Sequence, residues 1–395
     1  MNRSASLSIH RWFRLLALTT FTTVAISATA PAQEKPFRVM AFGNSFYENS
    51  VPWFQPTMFA TAGKKMEITT RIGPGWQVWM HMNAHFYDDP KSGRDELATG
   101  KWDAVLIHHF GAHPLLKDNM RDSVWHNQKS WGEKRDVSDF GASSFIIDEF
   151  LKARPDDGKV FMYVSWPMIP GAGEFKKRVN DEVSASLAKE GVGRDEVLKQ
   201  VKERKLTLKE LTPLLESFDY AAEWLAPYQP DLETPFSSKH SHSRDYAWKL
   251  MELLKEKYPT LWSEGRLAQI PTGDVFLALD EKARAGKLPG VSNIGFYSCD
   301  GGHVRAGLPR YTLAATTFAV MFHKHPKELD AAVYNDIENY KNENMNKLPG
   351  RVGSGYIHLP DCGELLEITP ERKKIVDETI WEVVTNHPHT NMGKK

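Results

Sequence analysis

Three residues in this chain have the types needed for acyl transfer through a serine: Ser45, Asp300 and His303. Ser45 follows Phe37-Arg38-Val39-Met40-Ala41-Phe42-Gly43-Asn44, an apolar run that ends in a glycine. That pattern reads as a buried strand, a tight turn and a helix start, with the serine at the turn. The carboxyl end of a strand is where open α/β sheets hold their ligands, and a helix beginning there would aim N–H groups at developing negative charge. Far downstream, Asp300-Gly301-Gly302-His303 sets a carboxylate and an imidazole three residues apart in a glycine turn. The glycines let the carboxylate fold back onto the ring, fixing its tautomer. The ring can then take a hydroxyl proton and return it to a leaving group. Singly, a helix-capping serine and a surface D-x-x-H loop are both commonplace. Their order along an alternating α/β chain is more specific than either.

A second constellation is histidine-rich: His81, His85, His108, His109 and His113. Histidines four apart on a helix can share a metal ion. Here there is no H-E-x-x-H and no carboxylate at ligand spacing, so hydrogen-bonded core or cleft histidines are the plainer expectation, with neither metal nor cofactor required. Trp76, Trp79 and Trp166 could stack a sugar ring or simply pack. No G-x-S-x-G elbow, P-loop or reactive-cysteine context occurs.

The elements that must position these groups alternate. Trp53–Ala62 reads as a helix, Met66–Arg71 as a strand, Trp102–Ile107 as a third buried strand ending in His108-His109, Phe140–Ala153 as an amphipathic helix, and Lys159–Ser165 as a fourth strand stopped by Trp166-Pro167. Alternation of this kind predicts a parallel sheet with helices on both faces. From Gly171 to about Pro230 a Lys- and Glu-rich, helix-permissive stretch interrupts the rhythm, read as an insertion on the catalytic side of the sheet, either a lid or a solvated ornament. Ser243–Tyr258 (helix), Leu267–Pro271 (strand), Asp274–Ala285 (helix) and the strongly apolar Leu308–Phe322 (helix) complete the domain. A region of helix and loop that includes Gly350–Gly355 is appended after it.

The chain has 395 residues, with 50 basic and 50 acidic side chains, so no global field favours nucleic acid or an anionic membrane. Arg3, Arg11 and Arg14 precede a short, threonine-rich apolar run, and Ala30-Pro31-Ala32 leads into polar Gln33. This is the pattern of a cleavable secretory leader over residues 1–32, which places the mature protein outside the cytoplasm, secreted or periplasmic, with no membrane attachment after cleavage. Cys299 and Cys362 are the two cysteines, which permits one disulfide without requiring it.

Taken together, Gly43-Asn44-Ser45-Phe46 and Asp300-Gly301-Gly302-His303, the latter continued by Arg305-Ala306-Gly307 and Tyr311-Thr312-Leu313-Ala314-Ala315, resemble the first and last blocks of the SGNH (GDSL) hydrolase superfamily. The first block is in the form where asparagine replaces the aspartate of G-D-S. The resemblance spans about 36–322 apart from the insertion. It implies a three-layer α/β/α, flavodoxin-like parallel sheet, with a hydrolase domain over 33–325 and a C-terminal extension over 326–395 packed on it. It also implies Ser45 as nucleophile, His303 as base and Asp300 as its partner. The oxyanion hole would use the Ser45 N–H and a glycine N–H from the second block, where Gly73 and Gly75 both fit and Gly75 is preferred. A side-chain donor normally completes the hole after the third strand. The usual G-x-N-D is absent there, and His108 takes its place. Asn44, Trp76 and Trp166 are the expected substrate contacts. The implied activity is hydrolysis of a small-molecule or polysaccharide ester, an acetyl or other short acyl group on carbohydrate. The competing expectations are a carbohydrate-binding protein that keeps the fold without turnover, and a His-cluster metal-dependent hydrolase.

Overall fold

Val39, Met40, Ala41 and Phe42 are wholly buried and form the centre of β1 (Phe37–Gly43) in a computed structural model of the protein. The structure describes residues 35–73, 75–83, 92–109, 138–203, 207–230, 239–336, 351–352 and 364–392. The expected leader, His85, His113 and Cys362 lie outside the described residues. The sheet and its helices belong to the compact unit Pro36–Lys395. β2 (Met66–Ile72), β3 (Ala104–His108), β4 (Lys159–Tyr163) and β5 (Leu267–Ile270) join β1 in the order β5-β4-β3-β1-β2, and the two-residue β6 (Arg351–Val352) lies on the β2 edge. Every pairing in the sheet is parallel. The apolar runs are those of a sheet covered on both faces. Alternate residues of β1 feed two separate cores: Val39 and Ala41 enter one, Met40 and Phe42 the other. The result is a three-layer α/β/α arrangement with flavodoxin-like strand order, whose topological switch point lies between β1 and β3.

The helices, in chain order, are α1 (Ser45–Glu48), α2 (Gln55–Thr61), α3 (Met80–Asn83), α4 (Gly93–Ala98), α5 (Asp139–Ala153), α6 (Ala172–Lys189), α7 (Arg194–Glu203), α8 (Leu208–Glu216), α9 (Tyr220–Trp224), α10 (Arg244–Lys257), α11 (Pro259–Ser263), α12 (Thr272–Arg284), α13 (Leu308–Phe322), α14 (Ala332–Asn335) and α15 (Pro370–Asn386). One face of the sheet carries α5 and α10 through Ile146, Ile147, Phe150, Leu250 and Leu254. The other carries α2, α12 and α13, with Val376 and Ile380 of α15 in the same core. α13 is buried from Leu308 to Met321, which explains its apolar composition. Tyr311 on α13 donates to Asp377 on α15 at 2.6 Å. The Gln269 N–H of edge strand β5 donates to the His389 carbonyl at 2.7 Å, so the chain after α15 covers that edge.

Some boundaries differ from the sequence expectation. β3 starts at Ala104 rather than Trp102, because the Trp102 indole turns aside and donates to the Glu96 carbonyl at 2.9 Å. It also includes His108, which the sequence pattern sets beyond the strand end. Within the region read as loop, Arg351 and Val352 pair with Thr70 and Arg71 of β2. The insertion divides: α6 buries no residue, whereas α8 and α9 bury Leu211, Leu215, Tyr220 and Trp224 in the main core.

Candidate active site

The loop between the β5–α12 unit and α13 holds itself in shape. Asp300 Oδ1 accepts from the backbone N–H of Gly302 at 2.9 Å and of His303 at 2.8 Å, while Oδ2 is 2.7 Å from His303 Nδ1. Ser298 Oγ accepts from Gly301 N–H at 2.8 Å, and the Cys299 N–H closes the turn onto the His303 carbonyl at 2.9 Å. Gly301 has φ +96°, and a β-carbon there would come within 2.3 Å of Ala172 Cβ, so only glycine fits. Desolvation works to raise the Asp300 carboxyl, but the hydrogen bonds from His303 and the two backbone N–H groups outweigh it and hold it below the usual carboxylate range. An ionised Asp300 accepts the Nδ1 proton, which leaves the lone pair of His303 on Nε2. That atom is buried and has no hydrogen-bond partner among the described residues. Cys299, next to Asp300, is disulfide-bonded.

Ser45 opens α1, and Asn44 caps it by accepting the Phe46 N–H at 2.9 Å. The helix expected here is a single turn of four residues, too short for an appreciable dipole, so any charge stabilisation at Ser45 rests on individual N–H groups. Asn49, one turn later, ties the two halves of the site together. Its amide donates to the Ser45 carbonyl at 2.5 Å, and its oxygen accepts the Val304 N–H at 2.9 Å. Buried Arg310 donates to the Val304 carbonyl, so Val304 is held through both of its backbone polar groups. The Phe46 ring lies 5.3 Å from the His303 ring. The structure thus brings the serine turn and the Asp–His loop together. It makes no hydrogen bond between Ser45 Oγ and His303 Nε2.

The second-block turn docks on the serine turn: Gly73 N–H donates to the Gly43 carbonyl at 3.2 Å, and Asn44 Nδ2 donates to the Trp76 carbonyl at 3.2 Å. This removes Gly73 as an oxyanion donor, since its N–H is already committed. Gly73 is there for space, because a β-carbon would strike the Trp76 ring at 2.2 Å. The Ser45 and Gly75 N–H groups have no hydrogen-bond partner among the described residues. His108 follows in register from the Phe42–Ile107 pair, which puts it beside Gly43. It is 2 % exposed, and neither ring nitrogen has a partner among the described residues.

Two expected substrate contacts are corrected. Asn44 is wholly buried with its amide engaged at both ends, so it shapes the turn. Trp166 is buried and donates to the Gly302 carbonyl at 2.8 Å, a strut beneath the Asp–His loop rather than a stacking platform. Trp79 is core, its indole bonded to Gln77 at 2.6 Å. Trp76 stays half-buried at the turn, its ring 5.3 Å from that of His81. Sequence reasoning missed Asn49, whose only signal was a polar residue one helical turn after the serine.

Comparisons with known proteins add little. No family model matches the chain, and no curated protein matches it. A crystal structure of a DUF4886 family protein from Bacteroides uniformis is similar at a TM-score of 0.42 and 13% identity, covering 91% of this chain and 97% of that one. The functional reading therefore rests on the site.

The histidines at the strand ends are neutral at pH 7. Burial pushes His109 down to about 3 and His242 to about 4, and the His242 ring adds to the effect on His109. His108 lies well below its ordinary value through burial and then through His109, His242 and His81. His81 falls to about 3 through burial and the Arg71 charge, partly offset by its hydrogen bond to the Gly43 backbone. Among the described residues no three His, Cys, Asp or Glu side chains come together as a metal-holding group. No helix among them is long and apolar enough to cross a membrane.

Proposed function

We propose that this chain is a secreted serine esterase of the SGNH type. Ser45 Oγ attacks the ester carbonyl while His303 Nε2 takes its proton. The same nitrogen then protonates the departing alcohol, and a water activated by His303 releases the acid from the acyl-Ser45 ester. Asp300 holds the ring with its base outward and stabilises the cation formed during each step. The N–H groups of Ser45 and Gly75 and one N–H of neutral His108 stabilise the tetrahedral oxyanion. Half-buried Trp76 stands at the turn beside Ser45, where its ring would stack a sugar, and a short acyl ester on carbohydrate is the substrate class this reading favours.

The observation that carries the proposal is the 2.7 Å contact of Asp300 with His303 Nδ1, which leaves Nε2 buried and unpartnered in a loop roped to Ser45 by Asn49. Catalytic hydrogen bonds are often unmade without substrate and tighten on binding. Hydrolysis of p-nitrophenyl acetate by the full chain and by folded Ser45→Ala and His303→Ala tests it: activity in the parent and its loss in both variants is expected, and full activity in either variant refutes the triad. A second reading, a carbohydrate-binding protein without turnover, is favoured by the missing Ser45–His303 hydrogen bond. It predicts no covalent labelling of Ser45 by a fluorophosphonate.

A further inference from the structure

The chain that leaves β4 toward α6 is fastened to the Asp–His loop at two points. The Trp166 indole donates to the Gly302 carbonyl at 2.8 Å, and the Ile169 N–H donates to the Gly301 carbonyl at 2.6 Å. Trp166 and Ile169 are buried, whereas Met168 between them is turned outward and is 51% exposed. Its thioether lies on Gly302: a β-carbon built there would come 3.3 Å from Met168 Cε, 3.7 Å from Met168 Cγ and 3.3 Å from Phe46 Cζ. Met168 and the tip of the Phe46 ring therefore meet over one α-carbon. Phe46 follows Ser45 in the chain, Gly302 precedes His303, and the Phe46 and His303 rings pack with centroids 5.3 Å apart.

A single exposed apolar side chain is ordinary on a protein surface and needs no explanation by itself. Leu198 and Leu225, the other large apolar side chains exposed among the described residues, stand on α7 and just after α9. What distinguishes Met168 is its place. The bonds on either side of it give a fixed base, while an unbranched thioether adapts to whatever it meets. The chemistry decides what that is. His303 Nε2 must reach the departing oxygen to protonate it, so the alcohol of the ester lies on the His303 side, and the acyl group stays on Ser45. Met168 packs on the residue directly before His303, and so it borders the alcohol.

We propose that Met168 is a specificity-determining residue that packs against the leaving alcohol of the ester bound at Ser45, and that this alcohol presents a C–H face, as a sugar ring does. The inference rests on the esterase reading. A thioether is at best a weak acceptor and no donor, so it selects apolar surface and not hydroxyls. Its contribution is made in binding and acylation, while the alcohol is present, and is absent from deacylation.

The test compares the full chain with Met168→Ala and Met168→Leu on two sets of esters. One set shares an acetyl group and differs in the alcohol: an acetylated methyl glycoside and ethyl acetate. The other shares the alcohol and differs in the acyl chain: p-nitrophenyl acetate, butyrate and hexanoate. Met168→Ala should lower kcat/KM about tenfold for the glycoside and about threefold or less for ethyl acetate. Across the p-nitrophenyl series the loss should stay constant, and Met168→Leu, which keeps an apolar side chain, should recover most of it. Equal losses on both acetyl esters, a loss that grows with acyl length, a Met168→Leu chain no better than Met168→Ala, or parent-like kcat/KM throughout overturns the inference. So does fluorophosphonate labelling that slows in Met168→Ala as steeply as glycoside turnover, because a fluoride leaving group has no C–H face to meet. Labelling of the parent separates the two readings: a labelled Ser45 with any of these outcomes sinks this inference alone, whereas an unlabelled Ser45 sinks the esterase reading and this one with it.

Discussion

The loop carrying Asp300 and His303 packs against the serine turn at the carboxyl end of β1, and His108 stands at the carboxyl end of neighbouring β3, yet the two are built on opposite terms. In the loop, the Asp300 carboxylate, the Ser298 hydroxyl and the N–H groups of residues 299 and 301–303 are all engaged, leaving Nε2 of His303 as the one buried atom without a partner among the described residues. At the strand end, both nitrogens of His108 and the hydroxyl of Tyr47 are buried with no partner among the described residues, and the two rings stack with centroids 6.5 Å apart and planes 29° from parallel. Leaving a buried donor unpaired costs about 1–3 kcal/mol. On the esterase reading proposed above, the contrast would separate two tasks: a saturated network fixing the direction of a base, and an open donor kept for charge that develops during reaction.

Removing the saturated side should have the largest effect. Ser45→Ala or His303→Ala should lower kcat by about 10⁴-fold or more, read as ester hydrolysis with circular dichroism to verify folding. Asp300→Asn should follow with roughly a 10³–10⁴-fold loss, because the amide presents the wrong partner to Nδ1. A parent-like rate would mean that the loop hydrogen bonds, and not the carboxylate, orient the ring. On the open side, His108→Phe should reduce kcat about 10²–10³-fold, the usual worth of one oxyanion donor. Its melting temperature should hold or rise, since an unmatched polar ring is replaced by an apolar one. A fall in stability without loss of rate would reverse the contrast. Asn49→Ala joins both regions: it strips the Ser45 carbonyl and the Val304 N–H of their partner and should cost about 1–3 kcal/mol in denaturant unfolding.

The gentlest effect is a pH slope. His81 and His109 titrate near 3 and His242 near 4 in the fold, against an ordinary 6.5. Below about 6.5 the unfolded chain takes up protons that the fold refuses. Stability should therefore be undiminished by these rings above that pH and fall toward pH 4, by roughly 1.4 kcal/mol per pH unit for each. Thermal melts across this range check it, and a flat profile would contradict the buried, neutral cluster.

How much of this was legible in the sequence follows the same division. β1, the apolar α13 and the Asp300–His303 pair are local patterns: a run of buried residues, a helix without polar breaks, a turn with two glycines. The parallel three-layer sheet followed from their alternation. What could not be read depends on contacts between distant segments. Whether Trp166 stacks a sugar or packs stays open in the sequence, because nothing near it reveals that its indole reaches Gly302. Gly73 and Gly75 are indistinguishable until the Gly43 carbonyl claims one of them. Arg351 and Val352 sit among glycines, and only the open β2 edge makes them a strand.

The central claim is that Ser45 is a nucleophile activated by His303. Intact-mass and peptide analysis after fluorophosphonate treatment of the full chain tests it most directly. One adduct per chain, on Ser45, that forms far more slowly in folded His303→Ala is the predicted result. No adduct on Ser45, or equal labelling with and without His303, would contradict it.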